Sequence, residues 1–275
     1  MKLVKELPIS IAKTGYLSFK SFSSKDLKKK EQVPVIVSLT SIPSRLGSLH
    51  LVIKSILDQT KMPSKIIVWL NSDLQQSIPK SLKNLENEYF EIAFSNLNCS
   101  HRKLIHTLEK HPNEIIVTVD DDFMYRSNFI ELIYQCHLKN PEVILGNHCV
   151  NLNYDDKGNV LPYKTWRQNS AINSKAKVPV GAWGVLYPPN SLHADVLNVD
   201  KFLELTPKAD DLWFKAMALK NGTLSLETTV KPKEPIPIAN TQRVSLKKVN
   251  LGQDLNTKQW NALEKEYSLK RLILE

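Results

Sequence analysis

Apolar positions fall into two rhythms along this chain: short continuous runs, and longer stretches spaced as on one side of a helix. Val33-Pro34-Val35-Ile36-Val37-Ser38-Leu39 is apolar on both faces and predicts a buried strand. The polar loop Thr40-Ser41-Ile42-Pro43-Ser44-Arg45 follows it directly, and Leu49, Val52, Ile53, Ile56 and Leu57 then recur at helical spacing. Lys65-Ile66-Ile67-Val68-Trp69-Leu70 predicts a second buried strand. Strand, loop, helix, strand is the βαβ unit of a parallel sheet.

The alternation continues. Glu91-Ile92-Ala93-Phe94 predicts a third strand, and Ser100 a cap for a helix carrying Leu104, Ile105 and Leu108. Ile115-Ile116-Val117-Thr118-Val119 predicts a fourth strand that runs straight into Asp120-Asp121-Asp122. A helix from Phe129 to Leu138 and a strand at Val143-Ile144-Leu145 come next. Residues 151–180 are polar and irregular, with a turn at Asp155-Asp156-Lys157-Gly158, and Gly181 to Pro189 is rich in glycine and aromatics. Asp210 to Lys220 predicts a helix stopped by Asn221-Gly222. Pro232 to Pro237 reads as a proline-rich linker, and residues 257–275 as an amphipathic helix with Trp260, Leu263 and Tyr267 on one face. Residues 1–32 lack sustained periodicity and are expected to form an arm outside the core.

Polar residues at strand ends carry the chemistry. Open α/β sheets bind ligands beyond the carboxyl ends of their strands. Three adjacent carboxylates there repel one another without a cation. Hard oxygen donors suit Mg²⁺ or Mn²⁺, which commonly share their shell with substrate phosphates; the alternative is a solvated acidic turn. Asp210-Asp211 opens a helix, where acids are ordinary capping residues. The second reading is a general base that takes a proton from an attacking hydroxyl. Glycine in Gly181-Ala182-Trp183-Gly184 permits close backbone approach.

Charge changes the picture at the ends. The formal net charge of +9 is concentrated there: residues 1–31 hold eight lysines against Glu6, Asp26 and Glu31, a net +5, and residues 243–275 hold a net +3. Basic ends on a nearly neutral body suit an anionic membrane surface better than nucleic acid, whose enzymes usually carry a basic stripe on the working face; the alternative is a solvated lysine-rich arm. No apolar run approaches the roughly 20 residues that span a bilayer, and the first ten residues lack signal-peptide features. The expected location is cytoplasmic, with peripheral contact at the inner face of the plasma membrane. Cys99, Cys136 and Cys149 are too few and too widely spaced for a disulfide framework or a zinc site.

The order of "VIVSLTSIPSRL", "IIVTVDDD", "GAWGVLYPP" and "ADDLWFKAMALKNG" resembles bacterial GT-A glycosyltransferases of the lipopolysaccharide and capsule type, over roughly residues 33–245. The resemblance implies an α/β fold of GT-A (Rossmann-like) type, a mostly parallel sheet flanked by helices in one domain. The basic arm is residues 1–32, the transferase domain 33–245 and a helical extension 246–275. It implies that Thr40, Ser41 and Arg45 hold the base and ribose of a nucleotide-sugar donor. Asp120 to Asp122 correspond to the DxD motif, the first Asp toward the ribose and the last on the metal. Mn²⁺ or Mg²⁺ then sits on Asp122 and Asp120, with Asp121 among the nucleotide contacts. Asp211 corresponds to the base of inverting members, Gly184 to the loop lining the donor sugar, and Lys103 to a nucleotide or diphosphate contact. UDP is the favoured nucleotide, and a glycan or lipid-linked glycan is the acceptor.

Two departures limit the resemblance. The Gln-x-x-Arg-Trp motif of processive synthases is reduced to the fragment Thr241-Gln242-Arg243, and no histidine follows His193 to serve as the carboxy-terminal metal ligand of many retaining enzymes. Both favour a non-processive, inverting enzyme. The competing classes are a sugar nucleotidyltransferase and a non-catalytic glycan-binding protein. The first usually has a glycine-rich basic loop after its first strand, whereas Thr40–Arg45 contains no glycine; the second does not need Asp120–Asp122 together with Asp211.

Overall fold

The structure, a computed structural model, describes residues 2–166, 173–239, 241 and 254–274. The strands of its main sheet are β1 (Gln32–Thr40), β2 (Met62–Asn71), β3 (Phe90–Ser95), β4 (Ile115–Thr118), β6 (Ile144–Gly146), β9 (Val185–Tyr187) and β10 (Ser225–Glu227). Two short pairs accompany them: β5 (Phe123–Met124) with β11 (Ile236–Pro237), and β7 (Cys149–Asn151) with β8 (Lys177–Pro179). The helices used below are α1 (Lys2–Phe19), α2 (Ser24–Lys28), α3 (Leu46–Leu57), α4 (Lys80–Lys83), α5 (Arg102–Lys110), α6 (Phe129–Lys139), α7 (Val199–Leu205) and α8 (Asp210–Lys220), followed by two carboxy-terminal helices, Leu255–Tyr267 and Leu269–Leu274.

The main sheet has seven strands in the order β10-β6-β9-β4-β1-β2-β3. Every neighbouring pair is parallel except those made by β9, which runs antiparallel to both β4 and β6. The chain is thus an α/β protein with a mostly parallel central sheet flanked by helices. Alternation along β1 explains the two cores. Val35, Val37 and Leu39 pack with α3 and α6 residues such as Leu49, Val52 and Ile133. On the other side of the sheet Leu104, Ile116, Tyr187, Phe214, Trp213 and Trp260 form a second core under α5, α8 and the carboxy-terminal helices.

Several sequence expectations change here. The expected arm does not lie wholly outside the core: α1 and α2 are helical, and Leu17 and Leu27 are buried in it. The glycine- and aromatic-rich segment contains a sheet strand, β9. The irregular stretch 151–180 closes at both ends as the β7–β8 pair. The proline-rich linker contributes β11. His101, not Ser100, precedes the first turn of α5, without a side-chain cap. The final helix breaks at Ser268, where φ is +53°. Gln242, Arg243 and the expected boundary at 245–246 lie outside the described residues.

The chain order places the site. From β1 the sheet grows outward through β2 to β3; the chain then returns to add β4 on the opposite side of β1. The carboxyl ends of the neighbouring parallel strands β1 and β4 therefore lie side by side at one strand-end crevice, where such sheets bind ligands. The register Val35↔Ile115 to Ser38↔Thr118 brings Ser41 and Asp120 to the same edge.

Candidate functional site

The loop after β1 is fixed from below. Arg102, on the first turn of α5, donates to the carbonyls of Ser41 (2.7 Å) and Leu97 (3.0 Å) and to the Thr40 hydroxyl. Thr40 in turn donates to the Trp69 carbonyl at 2.8 Å, tying the end of β1 to β2. Arg45 then leans across the crevice. Its guanidinium bonds Asp121 and lies 3.1 Å from Asp122 Oδ2. Ser41 Oγ donates to the other Asp121 oxygen at 2.5 Å. Both oxygens of Asp121 are therefore engaged, and the residue is buried. Burial outweighs these partners and leaves its pKa above the usual carboxylate value.

Lys103, also on α5, lies at the centre of a second cluster. Its ammonium is buried, 3.0 Å from Asp120 Oδ1 and 3.0 Å from Asp210 Oδ2. Ser38 holds that part of α5 in place, donating to the Lys103 carbonyl and bonding Thr107 at 2.7 Å. Burial alone lowers the lysine pKa, but Asp120, Asp210 and Asp211 together raise it well above the ordinary value. The amine is thus permanently charged. Lys103, expected as a nucleotide or diphosphate contact, bridges the acidic turn after β4 and the start of α8.

The two carboxylates at the start of α8 behave differently. Burial raises the pKa of Asp210, but Lys103 and His101 outweigh it and hold the group below the usual range. Asp211 is pushed up to about 7, first by burial and then by the neighbouring Asp210 charge, against Lys103. Its Oδ2 accepts the Gly181 N–H at 3.0 Å. A Cβ at Gly181 would lie 2.9 Å from Asp211 Oδ1 and 3.2 Å from Lys103 Nζ, so a larger residue there would have to displace these two side-chain ends.

Tyr125 joins the loop to the acidic turn. Its buried hydroxyl accepts the Asp120 N–H at 2.9 Å and donates to the Ala182 carbonyl at 3.2 Å. Asn147 secures the far side, donating to the Trp183 carbonyl at 3.1 Å. Gly184 adopts φ +88°, and a Cβ there would lie 2.5 Å from the Phe129 ring. Gly184 is thus a backbone position that starts β9, while Gly181 is the glycine beside the carboxylates. Sequence reasoning passed over Gly181, Tyr125, Arg102 and Asp210 as site residues. Only Gly181 and Asp210 carried any signal, as members of the Gly-Ala-Trp-Gly segment and the acidic pair.

Five carboxylates, Asp120 to Asp122 with Asp210 and Asp211, are therefore gathered round Lys103 and Arg45. Among the described residues, no three His, Cys, Asp or Glu side chains converge on one point as a ready-made metal cage. The donor set nevertheless fits a hard cation that arrives with phosphate. The crevice carries surplus negative charge, and the Asp120 side chain stays one-third exposed at its rim. Mg²⁺-type ions usually need only one or two carboxylates when substrate phosphates complete the shell. Asp120 and Asp122 match that role; Asp121, with both oxygens engaged, does not. A separate hollow of about 450 Å³, lined by Pro34, Lys65, Glu91 and His111, lies at the opposite ends of the strands and is not part of this site.

No family model matches the chain, and no curated protein matches it. Among solved structures it is similar to a 4-diphosphocytidyl-2C-methyl-D-erythritol synthase from Anaerococcus prevotii, with 12% identity, a TM-score of 0.45, 85% of this chain covered and 100% of that one. It is also similar to CMP:2-keto-3-deoxy-manno-octonic acid synthetase complexed with CTP, with 14% identity, a TM-score of 0.47 and coverage of 82% and 100%. A third is S. aureus TarS 1–349 in complex with UDP, with 13% identity, a TM-score of 0.44 and coverage of 72% of this chain and 59% of that one. The chemistry assigned to this chain rests on its own residues.

Proposed function

We propose that the chain is a glycosyltransferase that takes a sugar from a nucleoside-diphosphate sugar, with UDP favoured, and passes it to a hydroxyl of a glycan or lipid-linked glycan. The resemblance of its motifs points to bacterial surface polysaccharide as the setting. The observation that carries the reading is the position of Asp211, a carboxyl with a pKa near 7 beside the acidic turn of the strand-end crevice. A base with such a pKa can be ionised at neutral pH and still hold the proton it takes.

In this reading the acceptor oxygen bonds the anomeric carbon as the bond from that carbon to the diphosphate breaks. The leaving diphosphate keeps the electron pair, and the acceptor proton passes to Asp211. One displacement inverts the anomeric centre. Ser41 and Arg45 border the nucleotide side of the crevice, and Gly181 leaves room beside the base. A divalent cation on Asp120 and Asp122 would supply Lewis-acid offset for the diphosphate charge. Lys103 pairs with Asp120 and Asp210 and holds both in place.

A sugar nucleotidyltransferase is less well supported. The loop after β1 turns as a short 3-10 segment, Pro43–Arg45, and its one cation is committed to Asp121 and Asp122. The deciding experiment measures product release from a panel of nucleotide sugars with an acceptor mixture, and from nucleoside triphosphates with sugar phosphates, each with and without Mn²⁺. Release of nucleoside diphosphate supports transfer. Release of pyrophosphate from a nucleoside triphosphate and a sugar phosphate would replace it with nucleotidyl transfer.

A further inference from the structure

Helix α1 is built inside out. Its polar groups turn inward: Ser10 donates to the Pro237 carbonyl at 2.7 Å, Thr14 contacts the Met124 sulfur at 3.8 Å, and Lys13 lies 3.1 Å from Asp58. Lys54 reaches up to the carbonyls of Leu17 and Lys20. The outward side is apolar. Leu7 (47% exposed), Ile9 (46%), Ile11 (60%), Tyr16 (48%) and Phe19 (93%) all face solvent. From residue 6 to 19 the only charged side chains are Glu6 and Lys13, and both are half-buried. An ordinary surface helix has the opposite arrangement.

Cations follow this face in the chain. Lys25, Lys28 and Lys29, on and just after α2, are exposed, with Lys28 lying 3.4 Å from Glu88. No helix among the described residues is long and apolar enough to cross a membrane. An exposed apolar helix side with a basic flank matches a helix that lies in the interface of an anionic bilayer. A second copy of the chain fits less well, because it would set one group of lysines against the other.

We infer that the outward face of α1 seats in an anionic lipid leaflet, with Ile11 and Phe19 entering the acyl boundary and Lys25, Lys28 and Lys29 meeting headgroups. The surface does not depend on the proposed transfer reaction. Its place in the fold links it to the site: α1 packs on the β5–β11 pair, and Met124 of β5 follows Asp122 by two residues.

The test is co-sedimentation of the full chain with pure phosphatidylglycerol and pure phosphatidylcholine vesicles. Wild type is expected to pellet with the first and not the second. The double variant Ile11→Glu, Phe19→Glu is expected to lose at least about 10-fold in vesicle affinity. The triple variant Lys25→Gln, Lys28→Gln, Lys29→Gln should lose binding to a similar degree and with it most of the salt dependence. These positions are exposed, so unchanged thermal melts will show that the variants fold. Should either fail to fold, Phe19→Trp read with brominated lipid gives the answer: quenching supports insertion, and its absence overturns it. Wild-type pelleting by the double variant, equal binding to both vesicle types, or a dimer in sedimentation velocity that Ile11→Glu dissociates would each overturn the assignment.

Discussion

The ammonium of Lys103 lies 3.0 Å from the carboxylate of Asp210, although one residue is on the helix before β4 and the other opens α8. The same ammonium holds Asp120, so one buried cation joins the strand-end turn to the carboxylate pair of α8.

Lys103→Met should therefore be strongly destabilising. It leaves Asp120 and Asp210 without their shared counter-charge in a buried setting, where breaking such a pair costs about 3–5 kcal/mol. Urea unfolding measures it. A loss below about 1 kcal/mol, the range of exposed ion pairs, would mean that the cluster is solvated.

Asp211→Asn should lower turnover by roughly 10²–10⁴-fold with donor affinity kept. Asp210→Asn should also impair the enzyme, but through lost stability and a shifted pH profile, because Asp210 pairs with Lys103. Near-normal turnover in Asp211→Asn would return Asp211 to the role of a helix-start carboxylate.

The groups facing Asp211 are Asp210 on α8, Lys103 on α5, Asp120 after β4 and Tyr187 on β9. With its carboxyl near 7, wild-type turnover should rise with pH through that value and flatten above it. Stability should move the other way. A carboxyl raised from 3.8 in the unfolded chain favours the fold fully below that value, and the contribution is lost as pH rises through about 7. Wild type should lose stability relative to Asp211→Asn as pH rises from about 4 to about 7, and level off above that. Parallel urea titrations check the sign.

Asp122→Ala should weaken nucleotide binding in the presence of Mn²⁺ and remove the metal's effect on affinity, with the fold kept. Calorimetry with UDP, with and without Mn²⁺, reads it. Unchanged affinity in both titrations would remove Asp122 from the donor site.

The two glycines separate function from folding. Gly184→Ala places a Cβ against the Phe129 ring at φ +88° and should destabilise by about 1–3 kcal/mol, partly relieved by Phe129→Leu. Gly181→Ala presses on Asp211 and Lys103, and should reduce turnover more than stability. Equal effects of the two substitutions on melting temperature and on turnover would erase the distinction.

The sequence by itself determined the main alternation of strands and helices from β1 to α6, without the short α4 and β5, and the position of Asp120 to Asp122 at the end of a strand. Those are local facts: apolar period and the break in it are written in neighbouring residues. The helix Asp210–Lys220 was equally legible, from its acidic start and its Asn-Gly stop. Tertiary structure decided the rest. β9 is three residues between a glycine turn and two prolines, too short to show a period, and only its two sheet neighbours make it a strand. α1 escaped notice because its apolar residues, Leu17 apart, face solvent while Ser10, Lys13 and Thr14 face the body, which hides the usual pattern. The sharing of Lys103 by Asp120 and Asp210, and the division of labour between Asp210 and Asp211, depend on three separate elements meeting beyond the strand ends. No run of neighbouring residues encodes that meeting, because distance in space and exclusion of water set the charges there.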